Sequence, residues 1–376
     1  EYTVDAKAAE MTMKKGWGQI EFDKEAFRDS IIAALEKGGT ELTYTTLAKE
    51  LSAPDFDAIH KELEHDPVDA YYSDDGKFEV TDEIVGCKFD VSQAEKLWND
   101  ANPGDEVKIP LDIVWPEVTG DELRGRLYRD LLGTMTTKFP NSGENRRSNL
   151  ELATSKIDGM IMYPGDEFSY NEVVGQRTEE AGFLPAPAYV DGDVKDEIGG
   201  GACQVSSTLY AATLFSFLET VERECHYFPV NYMQMGTDAT VTIPEGGGRS
   251  IDFKFRNSRN YPIKLVGIFN NEESTLTFEI WGTLEDDDYM PVEFDSSYSW
   301  TYDFDKFIDP AYPDRDGYTI KLTHETYGFE DDVGSGYRTL THRQVIDADG
   351  NIVVDEITNT KLSNGNYAMD TYYQHN

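Results

Sequence analysis

The stretch EIGGGACQVSSTLYAATLFSFLETVERECH, residues 197–226, decides how this chain is read. Three glycines run into Cys203, small hydroxyl residues follow, and a largely apolar segment leads through charged residues to His226. VSSTLYAATLFSF (205–217) holds no Pro or Gly and carries apolar side chains all round, the pattern of a helix buried on most sides. Cys203 then stands at the helix N-terminus, after Gly199, Gly200 and Gly201. Partial positive charge and unpaired N–H groups at that end lower a thiol's pKa and can stabilise an oxyanion. Glycines just before it let a substrate backbone come close.

The place of His226 follows from chain reach. A helix running straight to residue 222 would leave the imidazole roughly 30 Å from the sulfur. ETVERECH (219–226) instead alternates like a strand and includes β-branched Thr220 and Val221. A helix over about 204–217 rises roughly 21 Å and eight extended residues return roughly 26 Å. An antiparallel strand packed on the helix therefore brings His226 back beside Cys203. Asp238, after Gly236 in PVNYMQMGTDATV (229–241), is the nearest acid to orient the ring, with Glu224 as the alternative. Other readings stay open here: a Cys203–Cys225 disulfide, a metal site adding His226, or an inert buried thiol.

Further out, 376 residues are too many for one ordinary core and predict two or three domains. The chain holds 33 Lys and Arg against 72 Asp and Glu, a formal net charge of −39. A surface of that sign repels nucleic acid and anionic membrane, so neither is expected as a partner. No apolar run reaches the roughly 18 residues of a membrane span. The chain opens on Glu1, not Met, and is expected to be the trimmed part of an exported protein whose N-terminal membrane anchor has been removed. Three cysteines, Cys87, Cys203 and Cys225, leave at least one unpaired unless chains cross-link.

The expected fold is α+β and multidomain. Residues 1–118 read as a mixed α/β domain, with Asp23 capping a helix that stops at Gly38–Gly39. Residues 119–282 read as an α+β domain opening on the helical TGDELRGRLYRDLLG and closing on strands SIDFKFRN, YPIKLVGIFN and STLTFEIWG. Residues 283–296 read as a charged linker, and 297–376 as a small all-β module whose hairpin turns at DADGN. Asp347, Asp349 and Asn351 imitate a calcium loop, but Ile352 stands where glycine is needed, so a turn is expected. His60 and His65 lack a third ligand and read as surface histidines.

NRRSNLELATSKIDGMIMYPGDEFSYNEVVGQRTEEAGF (145–183), GGGACQVSSTLY (199–210) and VERECHYFPVNYMQMGTDATV (221–241) resemble successive blocks of the VanW domain family. The resemblance covers about residues 127–282. The first 118 residues are similar to the peptidoglycan-binding-type domain often found before VanW or L,D-transpeptidase domains. The C-terminal region resembles the five-glycine β module that often follows VanW, through Gly334, Gly336 and Gly350.

The resemblance implies an extracytoplasmic bacterial cell-wall protein, membrane-anchored or secreted, whose partner is the peptidoglycan stem peptide. It implies a cysteine L,D-transpeptidase in which Cys203 forms a thioester with loss of a terminal D-alanine, and a neighbouring amine resolves it into a 3–3 cross-link. Alternatives are an L,D-carboxypeptidase and a non-catalytic peptidoglycan- or glycopeptide-binding protein. On this expectation Cys203, His226 and Asp238 are catalytic, and no metal or cofactor takes part. Backbone N–H groups of Cys203 and Gln204 serve the oxyanion, and Gly200 and Gly201 leave room for substrate. Arg223 binds a stem carboxylate or forms a structural ion pair, while Tyr232 and Asn171 line the cleft.

Overall fold

The computed structural model describes residues 1–18, 20–48, 52–190, 193–244, 248–285, 319–347, 349–359, 362–363 and 365–374. Most of the expected linker, and residues 297–318 of the expected C-terminal module, lie outside them. The fold is α+β, with seven helices and several small open sheets among the described residues. It divides into two compact units, Glu1–Ser73 with Glu79–Arg124, and Asp74–Phe78 with Gly125–Asn376.

In the first unit, helices α1 (Lys24–Glu36), α2 (Phe56–Leu63) and α3 (Val91–Asp100) each begin after an aspartate. Asp23, Asp55 and Asp90 accept hydrogen bonds from first-turn N–H groups, satisfying donors that have no intrahelical partner. Strands β1 (Tyr2–Asp5), β2 (Glu10–Lys14) and β3 (Glu106–Pro110) form an antiparallel sheet in that order. Alternation puts Met11, Met13, Val107 and Ile109 into one core with Phe56, Ala94 and Trp98.

The segment that leads into the second unit corrects one expectation. TGDELRGRLYRDLLG is helical only in α4 (Gly120–Arg126), and Asp130–Lys138 is strand β4. Tyr128 takes a positive φ of 55°, which ends helical geometry. The run LLGTM is buried on both faces, and a short apolar run of that kind has no period to separate helix from strand. β4 pairs with Thr275–Gly282 (β12), which pairs with Ile263–Asn270 (β11), which pairs with Ile161–Met162 (β5). A second sheet sets Glu167–Ser169 (β6), Lys254–Arg256 (β10) and Glu219–Glu222 (β9) side by side. Pro185–Val190 (β7) and Asp193–Ile198 (β8) form a hairpin.

Three helices complete the unit: α5 (Glu144–Ser155), α6 (Tyr170–Val174) and α7 (Ala202–Phe215). Every residue of α7 except Cys203 is buried, as its all-round apolar pattern predicts. Val205, Leu209, Leu214 and Phe215 each contribute about 1.5–3 kcal/mol by leaving water. The hydroxyls tolerated in so buried a helix have acceptors. Thr208 donates to the Gln204 carbonyl at 2.6 Å, Thr213 to that of Tyr210 at 2.7 Å and Ser206 to that of Ala239 at 2.6 Å. The helix lies hard against β4 at Gly133, where any Cβ would stand 2.7 Å from the Ala212 carbonyl oxygen.

The C-terminal residues form an antiparallel sheet of Thr319–Glu330 (β13), Ser335–Ile346 (β14) and Ile352–Ile357 (β15), with Asp370–Tyr373 (β16) also on β14. The expected hairpin is present, with Val345 opposite Val354. Its turn is closed by Asp347, whose carboxylate accepts from the N–H groups of Asp349 and Asn351 at 3.0 and 2.8 Å. Ile320, Leu322 and Val345 belong to the same core as α7. Arg343 of β14 donates to the Leu214 carbonyl at 2.8 Å, putting a cation on the negative end of α7.

Candidate active site

After Phe217 turns the chain through a positive φ of 56°, β9 leads back along the molecule. The strand is shorter than expected, ending at Glu222, and an irregular segment carries the chain on to His226. The predicted return is nevertheless made. The thiol of Cys203, at the second position of α7, lies beside the imidazole of His226, near enough for each to shift the other's titration. Asp238 lies on the other side of the ring: its Oδ2 is 2.5 Å from His226 Nδ1 and accepts the His226 backbone N–H at 2.7 Å. Nδ1 is thus committed to the carboxylate, and Nε2 is the nitrogen left for the sulfur.

The charges reinforce one another. Burial alone pushes the Cys203 thiol up, but the hydrogen bond and charge of His226, with the nearby Arg177 cation, outweigh it and lower the pKa. Burial works against the imidazolium too, yet Asp238 and the sulfur raise His226 to about 9. Burial opposes the Asp238 charge, while His226, Arg223 and Tyr372 hold its pKa well below the usual carboxylate range. Both shifts favour the thiolate–imidazolium form of the pair. The other cysteines differ: burial lifts Cys225 to about 12 and raises Cys87. All three cysteines are free, which removes the disulfide reading. Among the described residues no group of three His, Cys, Asp or Glu side chains is placed to hold a metal ion.

Asp238 has no exposed surface and four donors around it. Oδ1 accepts from the Tyr372 hydroxyl at 2.5 Å and from Arg223 Nη2 at 3.3 Å. Arg223 also donates through Nε to the Asp238 carbonyl at 2.6 Å and through Nη1 to Asp370 at 2.5 Å, and its guanidinium covers the Tyr210 ring. Only 7% of its side chain is exposed. Arg223 is the structural ion pair of the two readings, and its engaged nitrogens leave no face for a stem carboxylate. Glu224, the alternative orienter, points away to pair with Arg249 at the surface.

The remaining expected residues divide. Tyr232 belongs to the site: its hydroxyl is 3.3 Å from His226 Nε2. Asn171 does not face the sulfur. Its amide donates to the Ile251 and Thr242 carbonyls, fastening the loop whose Val241 carbonyl lies 3.5 Å from Cys203 Sγ. The Gln204 N–H donates to the Gly201 carbonyl at 2.9 Å, so of the two expected oxyanion donors the N–H of Cys203 itself is left. The Gln204 side chain is buried, bonding Thr137 at 3.0 Å and the Lys138 carbonyl at 3.1 Å. Gly200 admits the protein's own strand β7, since a Cβ there would meet the Ala186 carbonyl oxygen. Gly201 caps α7 with a φ of 113°, a conformation that side chains disfavour. Arg146, Arg177, Asp370 and Tyr372 were not read from the sequence as site residues. The arginines sit in a block otherwise rich in charge, and the last two lie more than 130 residues beyond Asp238.

Residues 145–281 match the family model described as "VanW like protein". An uncharacterized protein of Bacillus subtilis (strain 168), YoaR, is 38% identical over 160 residues, 43% of this chain and 51% of the relative. Vancomycin B-type resistance protein VanW of Enterococcus faecalis (strain ATCC 700802 / V583) is 28% identical over 147 residues, 38% of this chain and 47% of the relative. The chain spans about half the length of these curated relatives. No solved structure matches it. The segment that brings Cys203, His226 and Asp238 together is a VanW-like domain, the part of the chain that both relatives share.

Proposed function

We propose that this domain is a cysteine acyltransferase acting on peptidoglycan stem peptides in the bacterial cell envelope, with L,D-transpeptidation as its reaction. The observation that carries the reading is the Cys203–His226–Asp238 arrangement at the N-terminus of α7, its acid fully buried and its thiol and imidazole partly so. Likeness to the Enterococcus resistance protein supports a cell-wall role.

In the proposed reaction the Cys203 thiolate attacks the carbonyl carbon of the amide preceding the terminal D-alanine of a tetrapeptide stem. The oxyanion forms against the Cys203 N–H at the positive end of α7. The tetrahedral adduct collapses as the His226 imidazolium protonates the departing nitrogen, releasing D-alanine and leaving a thioester on Cys203. An amine of a neighbouring stem then attacks the thioester, His226 takes its proton, and the thiolate departs as the new amide forms. Water in place of the amine gives the carboxypeptidase outcome. Asp238 stays ionised throughout and holds Nδ1 protonated.

The test is incubation with purified muropeptides and mass analysis of protein and products. The expected result is a thioester adduct on Cys203 and a cross-linked dimer, both lost in Cys203→Ala. Wall binding that persists in that variant, with no adduct in the native chain, favours the binding-module reading.

A further inference from the structure

Arg177 has no role in the reaction just described, yet its position is unusual. Its Cβ and Cγ pack where a Cβ on Gly199 would stand, and its guanidinium lies over the Tyr170 ring at 5.3 Å. The Tyr170 hydroxyl reaches the Ala202 carbonyl at 3.0 Å, so the stack abuts the first turn of α7, beside Cys203. Both terminal nitrogens, Nη1 and Nη2, are out of contact with water and have no hydrogen-bond partner among the described residues. A desolvated guanidinium without acceptors is costly, and buried cations are ordinarily paired. The absence of a partner is the more telling in a chain where 72 acids face 33 bases. Arg146, the other arginine near the sulfur, is already held by Ser142 at 2.9 Å and Gln204 at 2.8 Å.

We propose that Arg177 is the carboxylate anchor of the donor site: its two free terminal nitrogens bind, as a fork, the α-carboxylate of the residue that leaves when Cys203 is acylated. That carboxylate lies one residue spacing, about 3.8 Å, beyond the carbonyl under attack, which suits a cation close to the sulfur. The ligand class is thus a peptide with a free C-terminus one residue past the scissile amide. A stem one residue longer, or an amidated end, presents no charge there. Admission requires a rotamer change in the side chains that cover the guanidinium, a common adjustment on binding. Unlike a cationic patch at the surface, this anchor selects by leaving a buried charge unmatched when the carboxylate is missing.

The assignment rests on the acyltransferase reading for its substrate but not for its first test. Alkylation of Cys203, located by peptide mass, is measured with iodoacetate, which carries a carboxylate one carbon from the reacting centre, and with neutral iodoacetamide. The ratio of the two rates cancels any change in thiolate fraction. It is expected to fall roughly 10- to 100-fold in Arg177→Gln, the worth of a charge-assisted hydrogen bond, and part of the way in Arg177→Lys. Arg28→Gln, an equal charge change in the first unit, leaves it unaltered. An unchanged ratio in an Arg177→Gln protein with native near-UV circular dichroism overturns the anchor.

The second arm compares a D-alanine-terminated tetrapeptide with its C-terminal amide as thioester donors. The acid is expected to acylate the native chain roughly 100-fold faster and to lose that advantage in Arg177→Gln. Equal acylation by acid and amide in the native chain overturns the anchor. A ratio that falls while neither peptide acylates supports the anchor and overturns the acyltransferase reading.

Discussion

The Tyr372 hydroxyl donates to Asp238 Oδ1 at 2.5 Å and accepts the Gly236 N–H at 2.6 Å, so the last strand of the chain holds the loop that orients His226. All three groups are buried. Tyr372→Phe keeps the ring and removes both bonds, leaving an amide and a carboxylate oxygen short of partners. The expected loss is about 1–3 kcal/mol for each group left unsatisfied, read as a lower denaturant midpoint at unchanged slope. Because Asp238 loses a donor, its pKa rises, and Cys203 alkylation at neutral pH is expected to slow. A native-like midpoint together with native alkylation rates would show that the C-terminal sheet is not part of the site.

Asp238→Asn keeps the shape of the orienter and removes its charge. His226 is then expected to fall from about 9 toward the ordinary value near 6.5, since the carboxylate is the main source of its rise. With less imidazolium beside it the Cys203 thiolate is less favoured, and the midpoint of its alkylation–pH curve moves up. The loss in acylation rate is expected to reach about 10²–10⁴-fold, as for other relays deprived of the buried acid. An alkylation curve that superimposes on the native one would separate Asp238 from the thiol chemistry.

The same pair sets a pH profile for stability whose sign can be worked out. The folded pKa of His226, about 9, exceeds its unfolded value near 6.5, so its contribution is complete below about pH 6.5 and is lost as pH rises through about 9. Cys203 moves the other way: its lowered pKa contributes stability above the unfolded value near 8.5, and that is lost as pH falls through the folded value. Between the folded value of Cys203 and about 8.5 the two slopes have opposite signs, because folding favours the proton on imidazole over sulfur. Urea midpoints are expected to vary less with pH there than either group alone would make them, and to fall as pH rises through about 9. Cys203→Ala removes one slope, so its midpoint declines from about pH 6.5 upward without a plateau. A plateau in that variant contradicts that preference for the imidazole.

Much of this architecture was legible because local signals agreed with the tertiary fold. Asp23 before its helix, the apolar rod 205–217 and the DADGN turn each specify structure within a few residues. The approach of His226 to Cys203 followed from chain reach, and Asp238 was the nearer of two acids the sequence offered, although the strand that carries the return proved shorter than the alternation suggested. Three matters were out of reach for physical reasons. LLGTM in β4 has no readable period because both its faces are covered. Tyr372 and Asp370 meet Asp238 and Arg223 through tertiary packing that leaves no mark in spacing. Arg177 looks like any charged residue in GQRTEE until its two terminal nitrogens are found without acceptors among the described residues.

The seat of α7 on the sheet gives the last prediction. Gly133 interrupts β4 beside a bulge between Leu131 and Gly133, and it faces the last turn of α7. A Cβ there would stand 2.7 Å from the Ala212 carbonyl oxygen and 2.9 Å from the Ser216 nitrogen, contacts with backbone that cannot rotate away. Gly133→Ala must therefore push the C-terminal end of the helix off the strand. The cost expected for overpacking is about 1–3 kcal/mol. The displacement acts at the end of α7 remote from Cys203, and the first turn is held independently by the Gln204 bonds to Thr137 and Lys138. Stability should fall while the iodoacetamide rate at Cys203 stays within about twofold of native, well under the tenfold that corresponds to 1.36 kcal/mol. If stability and thiol reactivity fall together, α7 moves as one rigid rod and the Gln204 tether is too weak to hold its catalytic end.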